Sequence, residues 1–445
     1  MSIPLGDEEL DAYVEQEEKR QKNGITLIAS ENYAFPGVYK YCGSLLTNKY
    51  SEGRVGARYY GGTEIIDKIE ELCQKRALEL FGLEEKAWGV SVQPYSGSIA
   101  NFSAYSAMVA PGGKIMGLSL PSGGHLTHGF QTKSKKISAS SLYFSSHQYE
   151  VEEDGRISYE KLEKQFEEVF PEVLICGYSA HSQDIDYKRL REIVRNRGFL
   201  YADISHISAL VSAGLMNSPF EHCDAVMTTT HKGLRGPRGA LIYYKKTVSI
   251  LGKTFDMDTK INSAVFPLVQ GGPHNHTIAA IAHTMKMAST QDFKDYAKQV
   301  AKNAQEMRRF FTSNGYKVVT GETVNHMVLL DLKNKEVSGE EVETVCEALG
   351  ISVNKNSVPK DISVLRPSGV RLGTYAITTR GMREPESKKV AELVDLAVKS
   401  VQSYKKTKTS KTIKQWISEE VENNEDLRSA KNTVINLTQR FKIPL

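Results

Sequence analysis

The stretch Ala225-Val226-Met227-Thr228-Thr229-Thr230-His231-Lys232-Gly233-Leu234-Arg235-Gly236-Pro237-Arg238-Gly239 carries an apolar run straight into hydroxyls, a lysine and glycines. The apolar part reads as a buried strand. Lys232 leaves its carboxyl end, with Arg235 and Arg238 close behind. A second apolar run, Phe199-Leu200-Tyr201-Ala202-Asp203-Ile204-Ser205-His206, ends in a carboxylate 29 residues before the lysine. That distance suits two neighbouring strands of an α/β sheet. Asp203 and Lys232 would then both sit at strand carboxyl ends, where such sheets bind ligands. Further strands are expected at 88–94, 114–120, 172–178 and 240–245. Helical segments alternate with them, such as Ile65 to Phe81 and Tyr187 to Asn196. Ile65, Ile66, Ile69, Leu72 and Cys73 follow a helical period. This alternation predicts a mostly parallel sheet.

A lysine held out of water near other cations loses its preference for the charged form, and its free amine can attack a carbonyl. An aldehyde cofactor such as pyridoxal phosphate is the natural partner, and a carboxylate such as Asp203 can keep its pyridine nitrogen protonated. Ser96-Gly97-Ser98 follows the run at 88–94 and opens an apolar segment from Ile99 to Ala110, expected to be helical. Bare N–H groups and the dipole at a helix start suit a phosphate. Each element alone has a plainer reading: a basic loop, a capping acid, an ordinary helix start. Together, in this order, they describe one site.

With those residues in place, the chain resembles the serine hydroxymethyltransferase family from Leu27-Ile28-Ala29-Ser30-Glu31-Asn32 to about Arg380. The matching segments include Asn48-Lys49-Tyr50-Ser51-Glu52-Gly53, Arg58-Tyr59-Tyr60-Gly61-Gly62, Gly123-Gly124-His125-Leu126-Thr127-His128-Gly129, Gln270-Gly271-Gly272-Pro273-His274-Asn275, Asn354-Lys355-Asn356 and Arg371-Leu372-Gly373-Thr374. Residues 129–130 and 135–138 look more like eukaryotic members. The resemblance implies a fold type I pyridoxal phosphate enzyme: a large cofactor domain with a mostly parallel seven-stranded-type sheet and a smaller C-terminal α+β domain. It implies transfer of a one-carbon unit between serine and tetrahydrofolate, giving glycine and 5,10-methylenetetrahydrofolate.

By the same resemblance Lys232 carries the cofactor, Asp203 binds its pyridine nitrogen, His125 stacks on its ring and His206 lies near its phenolic oxygen. Ser96, Gly97 and Ser98 hold the phosphate. Arg371, with Ser30 and Ser179, binds the substrate; a planar guanidinium makes two parallel bonds to a carboxylate. Glu52 acts as acid and base at the hydroxymethyl group, assisted by Tyr60. Leu120, Gly124, Leu126 and Asn356 contact folate. Tyr50, Glu52, Tyr60, Gly271 and Gly272 reach the site from a neighbouring subunit, so a homodimer or homotetramer with shared sites is expected.

The chain departs from the family around this site. Tyr-Pro-Gly after the glutamate becomes Arg54-Val55-Gly56, which frees a backbone angle. The residue after the lysine, usually Thr or Ser, is Gly233. Ser-Ala-Tyr-Ser/Pro-Arg becomes Ser179-Ala180-His181-Ser182-Gln183, and Thr-Pro-Ala becomes Thr374-Tyr375-Ala376. These changes are expected to loosen serine handling or folate coupling more than cofactor binding. Two alternatives stay open: a paralogue that cleaves β-hydroxy amino acids without folate, and a non-catalytic assembly subunit.

Composition agrees with a cytoplasmic enzyme. Lys and Arg number 57 against 53 Asp and Glu, a net charge of +4 that implies no polyelectrolyte partner. Cys42, Cys73, Cys176, Cys223 and Cys346 show no metal-ligand spacing and read as reduced thiols. The acidic start Gly6-Asp7-Glu8-Glu9-Leu10-Asp11 argues against a transit peptide, and no apolar run is long enough to span a membrane. The expected division is an N-terminal arm over 1–40, a large domain over 41–285 and a small domain over 286–445. The small domain begins along a long helix near Ala279, with strands at 316–320, 326–332 and 369–374. The charged last segment, from Lys405 to Asp426, reads as a solvated helical face, with nucleic-acid binding the lesser reading for want of interleaved aromatics.

Overall fold

The computed structural model describes residues 6–361 and 366–444. Its centre is a seven-stranded sheet in the order Trp88–Ser91, Ala240–Lys245, Ala225–Thr229, Phe199–Asp203, Val173–Gly177, Lys114–Leu118, Ser145–Tyr149. Ala240–Lys245 runs antiparallel to both its neighbours, and every other pair is parallel. The three central strands are buried along their whole length, as strands covered on both faces must be. The edge strand Ser145–Tyr149 is absent from the apolar pattern. It buries only Ser146 and Tyr149, so it needs no apolar run.

The parallel register sets Gly177 opposite Asp203 and Asp203 opposite Met227. The loops that follow these strands therefore emerge side by side. The helix Gly97–Met108 starts two residues earlier than its apolar pattern, because Gly97 and Ser98 already lie in the first turn. Glu64–Leu80 and Tyr187–Val194 form as expected, the latter capped by Asp186, which accepts from Arg189 N–H.

The C-terminal part holds a second core around Phe311, Leu330, Val342, Leu372 and Val394. Its antiparallel sheet runs Lys317–Val318, Met327–Asp331, Gly369–Gly373, Asn354–Asn356. The last of these was not expected to be a strand; it is a polar edge. The single long helix expected near Ala279 is two helices, Asn275–Ala288 and Gln291–Ser313. Thr290 breaks the run by capping the second through Phe293 N–H. The first packs on Glu64–Leu80 and the second on Glu384–Thr407. Ile25–Thr26 pairs in parallel with Ile351–Ser352, and Ile25 and Leu27 enter the second core. The charged tail folds as Ile413–Asn423 and Glu425–Arg440, with surface pairs such as Lys431–Glu422 at 3.1 Å. Among the described residues, no helix is long and apolar enough to cross a membrane, and no cluster of His, Cys, Asp and Glu could hold a metal ion.

Candidate active site

The carboxyl ends of the central strands surround a cavity of 170 Å³ lined by Ser96, Gly97, Ser98, Asn101, His125, Asp203, His206 and Lys232. It adjoins a wider cleft of 720 Å³ lined by Ser30, Leu120, Gly124, Leu126, Ser179, Asn356 and Arg371. His125, Ser179, His206, Lys232 and Arg238 line both. Most of the residues singled out in the sequence are thus neighbours in one cleft.

Asp203 is buried, and both oxygens of its carboxylate are hydrogen-bonded, Oδ1 only once. Oδ1 accepts from Ser205 N–H at 3.0 Å; Oδ2 accepts from Asn101 Nδ2 at 3.0 Å and meets His128 Nε2 at 3.1 Å. His128 Nδ1 accepts from His125 N–H, so the His128 proton sits on Nε2 and points at the carboxylate. Burial acts to raise the Asp203 pKa, but the hydrogen bonds from His128 and Ser205 outweigh it. The group is held ionised, below the usual carboxylate range.

Lys232 Nζ donates to Thr229 Oγ1 at 3.0 Å. Burial lowers its pKa from 10.5 to about 8, helped by Arg371 and Arg238 and opposed by Asp203. The amine is therefore far more available as a nucleophile than a surface lysine. His125 Nδ1 accepts from Thr127 N–H, leaving the proton on Nε2, and burial drops its pKa to about 4. The imidazole is neutral.

Ser96 stands at the N-cap of Gly97–Met108 without making a side-chain cap bond. The first N–H groups of that helix are left for an anion. A Cβ on Gly97 would lie 2.7 Å from Thr229 Cγ2, so only glycine lets this helix start press against the strand that leads to Lys232.

Arg371 lies on the strand Gly369–Gly373, with Nη1 donating to the Ser179 carbonyl at 2.6 Å and Nε to Asn354 Oδ1 at 3.1 Å. Burial brings its pKa down to about 10, and among the described residues it meets no carboxylate. A buried guanidinium with only neutral partners is a receptor for an anion.

Tyr50, Glu52, Tyr60, Gly271 and Gly272 gather elsewhere on the protomer and line neither cavity. Glu52 Oε1 lies 3.2 Å from where a Cβ on Gly271 would sit, and the Tyr50 ring 3.0 Å from that of Gly272. Tyr50 and Tyr60 rings are 5.3 Å apart. Arg58 holds the carbonyls on both sides of Glu52, at Ser51 and Gly53, and pairs with buried Glu70 at 2.5 Å. This cluster is exposed: Tyr50 is 58% and Tyr60 44% accessible.

Five of the departing residues have partners of their own. Arg54 pairs with Asp258, which accepts from the Tyr244 hydroxyl. Gln183 donates to Thr320 Oγ1, and the His181 carbonyl accepts from Asn325 Nδ2. Tyr375 packs on Gly233.

Asn101 escaped the sequence reading. Its signal was a lone amide one turn after Gly97 in a helix otherwise built of apolar residues and serines. His128 gave a weaker signal, three residues after His125, with nothing to show which way it turned.

A mixed sheet of this order, with a buried lysine and an ionised aspartate at adjoining strand ends, defines a fold type I enzyme of the pyridoxal phosphate class. Residues 3–394 match the family model of serine hydroxymethyltransferase. The cytosolic serine hydroxymethyltransferase of Encephalitozoon cuniculi is 59% identical over 398 residues, 89% of this chain and 86% of that one. The cytosolic enzyme of Oryctolagus cuniculus is 47% identical over 458 residues, covering 100% of this chain and 95% of its own. That of Candida albicans is 51% identical over 408 residues, 89% of this chain and 87% of that one. The chain belongs to the serine hydroxymethyltransferase family.

Proposed function

We propose that this chain interconverts serine and tetrahydrofolate with glycine and 5,10-methylenetetrahydrofolate in the cytosol, using pyridoxal phosphate at Lys232. One observation carries the reading. A single cleft joins an uncapped helix start, an ionised buried aspartate, a lysine of pKa about 8 and an arginine without a carboxylate. These features fit the cofactor's phosphate, its ring nitrogen, its aldehyde and the carboxylate of an amino acid, in that order.

When bound, the cofactor supplies an electron sink for negative charge at the carbon beside the substrate amine. The chain does the rest. Ser96, Gly97 and Ser98 would hold the phosphate, Asp203 the pyridine nitrogen, His125 the ring and His206 the phenolic oxygen, all of them lining one cavity. Lys232 would hold the cofactor through its aldehyde, its amine kept available by burial. Arg371, with Ser30 and Ser179, fixes the carboxylate and so orients the bonds at the reacting carbon. Glu52 moves the proton at the serine hydroxyl, assisted by Tyr60. Leu120, Gly124, Leu126 and Asn356 take the folate.

Glu52 and Tyr60 act in the cleft of a second copy, with Tyr50, Gly271 and Gly272, in a homodimer or a homotetramer. The exposed tyrosines of that cluster and its separation from the Lys232 cavity support this assignment. The arm at 1–40, the cofactor part at 41–285 and the small part at 286–445 would be the working units.

The test is serine cleavage with purified chain and added pyridoxal phosphate, with and without tetrahydrofolate. Folate-dependent turnover is expected. Equal turnover without folate would replace the reading with a folate-independent aldolase; cofactor binding with no turnover would replace it with an assembly subunit.

A further inference from the structure

Position 233 follows the active lysine, and its glycine is matched in space by a tyrosine 142 residues further on. A Cβ on Gly233 would lie 2.6 Å from Tyr375 Cζ and 2.7 Å from both its hydroxyl oxygen and Ala209 Cβ. Those contacts are closer than real Cβ atoms make. The Tyr375 ring therefore fills the space a side chain at 233 would need.

Tyr375 also reaches the imidazoles behind the lysine. Its hydroxyl donates to the His206 carbonyl at 2.6 Å. Its ring stacks on His326, centroids 4.0 Å apart and 19° from parallel, and His326 stacks in turn on His206 at 5.5 Å. His326 Nε2 faces the Ala29 carbonyl at 3.1 Å, which can only accept, so the proton of His326 sits there. His206 Nδ1 faces the same nitrogen at 3.4 Å and is the acceptor. The remaining donor of His206 is Nε2–H, on the side of the ring away from His326. Both rings are buried and neutral, so this tautomer is fixed by geometry and not by charge.

We propose that Tyr375 is a positioning residue: interlocked with Gly233, it fixes the backbone and the imidazole tautomer of His206 and the turn that carries Lys232. The inference rests on the function proposed above for its effect on turnover, but the interlock stands on packing alone. It also explains why Gly233 and Tyr375 occur together in one chain. Either change alone, a side chain at 233 against Tyr375 or a small residue at 375 over a bare glycine, leaves a clash or a void.

The interlock is tested on ligand-free protein with Gly233→Ser, Tyr375→Ala and the double variant, by thermal midpoint. Gly233→Ser is expected to destabilise the chain when Tyr375 is present and to cost less when residue 375 is alanine, where only the contact with Ala209 Cβ remains. Equal costs in both backgrounds would overturn the interlock. Tyr375→Phe keeps the ring and removes only the bond to His206. It is expected to lower the thermal midpoint less than Tyr375→Ala does, to hold the KM for serine, to lower kcat roughly three- to tenfold, the worth of one hydrogen bond, and to shift the visible absorption of bound cofactor. Unchanged kcat and absorption in Tyr375→Phe would overturn the positioning role. A wild-type chain that binds no cofactor would defeat the functional reading and the positioning role with it, while the thermal cycle would still decide the interlock.

Discussion

The guanidinium of Arg371 and the carbonyl of Ser179 meet at 2.6 Å, tying the small sheet to the loop that follows the strand Val173–Gly177. Asn354 Oδ1 takes Nε on the other side at 3.1 Å. Two neutral acceptors fix the plane of the guanidinium and leave its charge unmatched. The remaining donors, in a cleft shared with Lys232, are set for a carboxylate.

Replacing Arg371 by lysine keeps a cation and loses the planar fork. Hydrogen bonds to charged groups are worth about 1.5–3 kcal/mol each, so the KM for serine should rise at least roughly tenfold. Cofactor absorption should remain, because Asp203, Lys232 and the helix start are untouched. Steady-state kinetics with serine, alongside absorption spectra, check this; an unaltered KM would remove Arg371 from the substrate site.

Lys232 should betray its lowered pKa in two ways. The neutral amine is the nucleophile, so its reaction with pyridoxal phosphate should speed up with pH and level off near the value of about 8, not near 10.5. Borohydride trapping and peptide mapping at a series of pH values would follow it. The folded chain also binds this proton less tightly than the unfolded chain. Between about pH 8 and 10.5 the unfolded state holds more protons, so ligand-free stability from this group rises with pH and flattens above that window. Below pH 8 the full penalty of the buried ammonium is present. Lys232→Met should therefore stabilise the ligand-free protein at pH 7 and lose that advantage by pH 10.5, as read by denaturant titration.

Much of this was legible in the sequence, for a physical reason. Strands buried on both faces must be apolar, so Val173–Gly177, Phe199–Asp203 and Ala225–Thr229 announce themselves, and a charged residue at the end of such a run stands out. Edge strands carry no such demand. Ser145–Tyr149 and Asn354–Asn356 are polar and left no trace. Asp203 and Lys232 were visible through their strands, but Asn101 and His128 matter only through where they point. The fit between Gly233 and Tyr375 spans the two parts of the fold; sequence shows both as departures and cannot show that each accommodates the other.

Arg380 should be the costliest single cation to remove from the scaffold. It is buried and donates to carbonyls at the ends of two helices: Gln21, Lys22 and Gly24 in the last turn and cap of Glu8–Asn23, and Thr438 and Phe441 at the end of Glu425–Arg440. Its charge also faces the negative ends of both helix dipoles. Arg380→Met would strand these carbonyls, at a cost of roughly 3–5 kcal/mol, about 1 kcal/mol for each buried acceptor left without its donor. Hydrogen exchange should show both terminal helices loosening while Phe199–Asp203 and Ala225–Thr229 stay protected. Uniform protection in the variant would show that the helices are held by other contacts.

The last prediction concerns the two clusters that a single protomer keeps apart. If Glu52 serves the cleft of a second copy, Lys232→Ala and Glu52→Ala chains are each inactive for reasons lodged in different halves of a shared site. In a mixed dimer, one cleft lacks both groups and the other has both, because its lysine comes from the Glu52→Ala chain and its glutamate from the Lys232→Ala chain. Random exchange makes half the dimers mixed, each with one sound cleft. Mixing should then restore about a quarter of wild-type activity from two inactive samples in a two-fold assembly. Refolding the chains together, with light scattering to establish the dimer, gives the measurement. No recovery, or full activity from wild-type chain that is monomeric at assay concentration, would place Glu52 and Lys232 in the same protomer's site and end the shared-site reading.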